Sequence, residues 1–189
     1  IGHCFGGIVA IEFYKLFPKL SKAYILIDTA YKAPKSLRIF KNHPFFTYVL
    51  NSIVKKTKLR NKNHHVNFDK FIGTGDWSIR RIYSDIRNTS LKSWFFTFQN
   101  IAHFDGIKTL KNMNKPVLVI EGLKDSVFPP KVAEKIHKLV RLSNINYIPD
   151  ANHILVLNNV KIVEERILLY IEAIEKFTQH RKFLKKTIS

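Results

Sequence analysis

At 189 residues the chain is long enough for one domain. Its formal net charge of +18, from 32 Lys+Arg against 14 Asp+Glu, is spread along the chain among many Asn and Ile residues. An AT-rich coding sequence would produce that mixture, so a nucleic-acid partner is set aside for want of a contiguous basic face. No apolar run is long enough to span a bilayer, and a lone cysteine excludes an internal disulfide and fits a reducing cytoplasm.

Residues 1–7 read Ile-Gly-His-Cys-Phe-Gly-Gly. The spacing Gly-x-Cys-x-Gly is that of a nucleophile elbow, a tight strand-to-helix turn that lifts one side chain above a sheet. Cys4 is the residue lifted, and Gly2 and Gly6 are expected where backbone segments approach too closely for a Cβ. Residues 5–17 predict an amphipathic helix with Val9, Phe13 and Leu16 on its apolar stripe, ended by Pro18. Residues 23–27 are a short apolar run leading into Asp28-Thr29, which predicts a buried parallel strand and hence a βαβ unit.

From 32 to 112 the character changes to Lys, Asn and aromatic residues, with Gly73-Thr74-Gly75 the one clear break. Residues 42–50 and 93–98 are candidate helices there. Residues 116–120 then predict a second strand, followed by a loop carrying Asp125 and a helix over 131–140 with Val132, Ile136, Leu139 and Val140 on one face. Residues 146–149 predict a third strand, 150–153 a loop ending in His153, and 160–177 a long final helix. The basic stretch 179–189 reads as a frayed, solvated tail. Polar residues thus fall just after the carboxyl ends of strands, where open α/β sheets bind ligands.

This order resembles the α/β-hydrolase superfamily. Cys4 in Gly-His-Cys-Phe-Gly-Gly, Asp125 in Gly-Leu-Lys-Asp-Ser-Val-Phe-Pro and His153 in Ala-Asn-His match its chain order of nucleophile, acid and histidine. The likeness covers the elbow helix, the strand after it and residues 116–177, in the manner of the esterase, peptidase and thioesterase branch. It implies a parallel sheet with flanking helices, residues 1–31 and 113–178 forming the core and 32–112 an inserted helical lid. Serine is usual where this chain has Cys4; cysteine stands there in dienelactone hydrolases and in polyester synthases. The first half of the fold is absent and the chain has no initiator methionine, so the expectation is the C-terminal part of a longer protein, with any signal peptide upstream.

The chemistry of such a trio is coherent. A thiol becomes a strong nucleophile as thiolate, an imidazole can take its proton, and the start of a helix favours the anion. A carboxylate on the other ring nitrogen fixes the tautomer. The resemblance also assigns the backbone N–H of Phe5 to the oxyanion hole; the second donor belongs to a loop this chain lacks. The expected function is hydrolysis of a small ester, thioester or lactone through an acyl-enzyme on Cys4, with a small-molecule acyl substrate and no metal or organic cofactor.

Other readings stay open at this point. Cys4 can be an inert buried thiol, Asp125 a turn residue ahead of Pro129-Pro130, and His153 a loop cap. Asp28 is a rival acid, because some branches place it after the earlier strand. His3, His103, His137 and His180 read as surface or packing residues, and His64-His65 lacks further ligands for a metal. An acyltransferase with an alcohol acceptor would use the same trio, and a non-catalytic binding module could sit on the same scaffold.

Overall fold

A computed structural model describes residues 1–38 and 67–188, with Phe45, Tyr48, Ser52 and Val54 between them. The candidate helix over 42–50 and the pair His64-His65 fall largely or wholly outside the described residues.

Four short segments make the framework: β1 (Gly2–His3), β2 (Tyr24–Ile27), β3 (Val117–Gly122) and β4 (Ser143–Ile148). They form one parallel sheet in the order β1-β2-β3-β4, with Gly2 opposite Leu26, Leu26 opposite Val119 and Val119 opposite Ile145. Parallel neighbours need crossovers, and helices supply them. The first, α1 (Phe5–Leu16), joins β1 to β2. The long excursion between β2 and β3 carries α2 (Ile79–Thr89), α3 (Leu91–His103) and α4 (Ile107–Lys111). Then α5 (Pro130–Leu139) joins β3 to β4, and a short α6 (Leu155–Asn158) leads into α7 (Val160–Ile188). The final helix therefore runs on through the segment expected as a frayed tail.

Side chains of β2 and β3 alternate between two cores, as the period of a strand dictates. Tyr24, Leu26, Val117 and Val119 pack with Ile8, Ile11 and Tyr14 of α1 and with Ala133 and Ile136 of α5. Ile25, Ile27, Leu118 and Ile120 pack with Leu155 and Val163 on the opposite face. Both faces being covered explains why β2 and residues 117–120 of β3 read as unbroken apolar runs.

The helical stripe expected on α1 points the other way. Ile8, Ile11 and Tyr14 are buried, whereas Val9 and Leu16 are 50% and 65% exposed. Residues 8–17 are hydrophobic at eight of ten positions, so two faces compete and spacing alone cannot choose between them.

The excursion between β2 and β3 leaves and returns at one point. Lys32 bridges Asp105, Ala33 N–H donates to Phe104 O at 2.9 Å, and Gly106 N–H donates to Tyr31 O at 2.9 Å. Neither α2 nor α4 was foreseen from sequence; residues 93–98 lie within α3.

Candidate active site

Cys4 stands between β1 and α1 with φ 53° and ψ −119°, a conformation an L-residue adopts only under constraint from its surroundings. The constraint is visible. Cys4 N–H donates to Ile27 O at 3.0 Å, and Cys4 O accepts from Thr29 Oγ1 at 2.6 Å and from Gly7 N–H at 3.1 Å. A Cβ on Gly2 would fall on the Gly6 carbonyl, as the elbow geometry requires. The expectation for Gly6 fails: a Cβ there meets nothing within 4 Å. The second tight glycine is Gly7, whose Cβ would strike the Thr29 side chain. The cause is that residue 6 faces outward from the turn while residue 7 faces β2.

Asp125 follows the end of β3 and is 4% exposed. Its Oδ1 accepts from the N–H groups of Val127 and Phe128, at 2.7 and 2.8 Å, which fixes the carboxylate in its own loop. Its Oδ2 faces His153, whose Nδ1 donates at 2.8 Å. His153 is 8% exposed, lies in the loop after β4, and has the Phe128 ring edge-on at 5.5 Å. The half-buried Cys4 thiol lies close enough to this ring to favour its protonated form. Burial disfavours the imidazolium most strongly, yet the bond to Asp125 and the nearness of Cys4 outweigh it and push His153 up to about 10. Imidazole and carboxylate are thus hydrogen-bonded to each other beside the thiol, all three from residues far apart in sequence.

A family model for the alpha/beta hydrolase fold matches residues 1–160. The chain belongs to that family. Solved structures agree on the fold: a hydrolase from Pseudomonas aeruginosa is 16% identical with a TM-score of 0.66, the chain covering 90% of itself and 63% of that protein. A thermophilic esterase from Thermogutta terrifontis is 18% identical, TM-score 0.62, at 92% and 64% coverage. An esterase from Exiguobacterium antarcticum is 15% identical, TM-score 0.62, at 90% and 65%. The chain therefore spans a little under two thirds of the length of these hydrolase-fold structures. Among curated proteins no sequence matches it.

Asp28, the rival acid, is placed differently from Asp125. It is fully buried with φ 39°, and its Oδ1 accepts from Gly122 N–H at 2.9 Å. Its Oδ2 and both oxygens of the fully buried Glu121 have no hydrogen-bond partner. Burial first, and neighbouring carboxylates second, push Asp28 up to about 8 and Glu121 up to about 10. Glu121 was not anticipated, since a single acid inside an apolar strand carries no pattern of its own.

The donor atoms of Asp28, Glu121 and Asp125 lie within 4.8 Å of one another, as do those of His3, Asp28 and His153. These sets fit a cation poorly. Both Asp125 oxygens and His153 Nδ1 are already committed, leaving three free carboxylate oxygens where calcium wants six to eight. Protons serve the buried carboxyls better.

Two further residues touch the histidine. His3 Nε2 donates to His153 O at 2.7 Å, and burial lowers His3 to about 4, which keeps the ring neutral. His3 is thus more than the packing residue expected. Asp76 accepts from His153 N–H at 2.8 Å and escaped sequence reasoning altogether. Of the other described histidines, His137 bonds Ser143, while His103 and His180 are exposed.

Proposed function

We propose that this chain carries the thiol-nucleophile half of an α/β-hydrolase that cleaves a small ester, thioester or lactone. The observation that supports this most is the hydrogen bond from His153 to the buried Asp125, with Cys4 held beside that ring on a strained elbow. Cys4 Sγ attacks the acyl carbon as the thiolate while His153 holds the proton as imidazolium. The tetrahedral oxyanion takes a hydrogen bond from the Phe5 N–H, one of the first amides of α1 and so without an intrahelical acceptor. His153 then gives its proton to the departing alcohol or thiol, leaving an acyl-Cys4. Water, deprotonated by His153, attacks that thioester and returns free Cys4 and the carboxylic acid. Asp125 holds the ring by Nδ1 throughout. Esterases are among the proteins of similar fold, which agrees with this substrate class. In this reading residues 32–112 form the lid over the acyl pocket.

Iodoacetamide labelling of the whole protein tests the nucleophile. Cys4 should react faster than an unstructured thiol at neutral pH, and His153→Ala should abolish the advantage. Labelling at the free-thiol rate in both proteins would identify Cys4 as an inert thiol. Product analysis with water and with alcohol acceptors separates hydrolysis from acyl transfer.

A further inference from the structure

We infer that Asp76, supplied by the inserted segment, is a positioning residue that sets His153 against Asp125; this rests on the triad reading above. Asp76 is buried, at 7% exposure, just ahead of α2. Its Oδ1 accepts from the His153 main-chain N–H at 2.8 Å. Its Oδ2 accepts from the Ser126 N–H at 2.9 Å and from Ser126 Oγ at 2.7 Å. One carboxylate therefore ties the residue after the acid to the histidine itself. All three donors come from the acid and histidine loops, and bonds from such donors to a carboxylate are stronger than neutral ones.

The residues around Asp76 act as a strap. Arg81 Nη2 donates to Asp76 O at 2.6 Å, and Trp77 Nε1 donates to Ser126 Oγ at 3.0 Å. Asn152 and Asn158 each donate from Nδ2 to Thr74 O at 3.0 Å, and Asn158 Oδ1 accepts from Gly73 N–H at 2.8 Å. The His153 loop has no strand or helix of its own to hold it, so its main chain takes direction from Asp76 on the N–H side and His3 on the carbonyl side. A shift of 1 Å in a reacting group can cost about 10²-fold in rate. The inserted segment is thereby coupled to the chemistry without touching substrate.

The test compares wild type, Asp76→Ala, Asp76→Asn and His153→Ala in the whole protein. Turnover of p-nitrophenyl acetate is read together with the pH profile of Cys4 alkylation. Asp76→Ala should lower kcat by roughly 10–100-fold with KM within about twofold. It should also move the alkylation profile toward that of His153→Ala. Asp76→Asn should fall between, because its Oδ1 still accepts from His153 N–H while its amide faces the donors of Ser126. Wild-type kcat and alkylation profile in Asp76→Ala would overturn the proposal, and Asp76→Asn decides if the alanine variant does not fold. If His153→Ala leaves the alkylation profile unchanged, the triad reading fails and Asp76 loses its role with it. A His153-dependent profile that ignores Asp76 removes the positioning role alone.

Discussion

Asp125 and Asp28 both lie close to the His153 ring, and what distinguishes them is which donors each already satisfies. Asp125 gives one oxygen to two backbone amides and the other to the imidazole; Asp28 gives its one bonded oxygen to Gly122 N–H. Asp125→Asn should therefore lower turnover on the order of 10⁴-fold with little change in fold, since the amide favours the wrong tautomer. Asp28→Asn keeps the acceptor for Gly122 and should be mild; the reverse ranking, measured by steady-state kinetics, would transfer the acid role to Asp28. The elbow glycines give a second contrast. Gly2→Ala drives a Cβ into the Gly6 carbonyl and should cost on the order of 3 kcal/mol. Gly6→Ala meets open space and should stay within about 1 kcal/mol of the parent in thermal unfolding. The spacing Gly-x-Cys-x-Gly reveals Cys4 readily, but it cannot say which glycine is crowded, because that depends on Thr29 across the sheet.

At the scale of elements, the ends of β2 and β3 enclose a carboxyl pair beside two otherwise apolar strands. Asp28 and Glu121 stay protonated in the fold well above the pH at which they ionise in the unfolded chain, burial being the main cause. An acid raised in this way binds more protons folded than unfolded, so stability falls as pH climbs from 3.8 toward about 8 for Asp28 and from 4.5 toward about 10 for Glu121. The two share one pair of macroscopic ionisations. His153 adds the same sign: its contribution is full below 6.5 and is lost as pH rises through about 10. Melting temperature should accordingly decline from about pH 5 to about pH 9, by about 2–4 °C for each kcal/mol lost. Glu121→Gln should flatten that decline, and a variant with the parent's slope would place the proton elsewhere. Strands β2 and β3 were legible from apolar runs bounded by turns, while β4, expected over 146–149, begins at Ser143. Glu121 inside β3 was not legible, since its consequence arises from burial and from Asp28 just after the neighbouring strand.

At the scale of the whole molecule, β1 pairs with β2 on one side only, and α1 and the turn after it turn Val9, Leu16, Phe17 and Leu20 to solvent. Apolar surface of this kind costs about 25 cal/mol for every Å² left in water, against a net stability of ~5–15 kcal/mol for an ordinary domain. Residues 1–189 produced alone should bind a hydrophobic dye, self-associate, and hydrolyse a p-nitrophenyl ester poorly. Light scattering and dye fluorescence check this, and a cooperatively melting monomer with strong Cys4-dependent esterase activity would contradict it.

The sequence by itself determined the order of the chemistry: an elbow cysteine, an acid after one strand and a histidine after the next, on a parallel sheet that its apolar runs announce. Those features are local, since each depends on a few neighbouring residues whose backbone preferences and periodicity are written in the chain. Only the tertiary structure decided which face of α1 is buried, that Gly7 rather than Gly6 is hemmed in, and that Glu121 shares its burial with Asp28. It also brought Asp76 to His153 across 77 positions of sequence. Such contacts are set by how layers stack and where an insertion folds back, and no spacing along the chain encodes those distances.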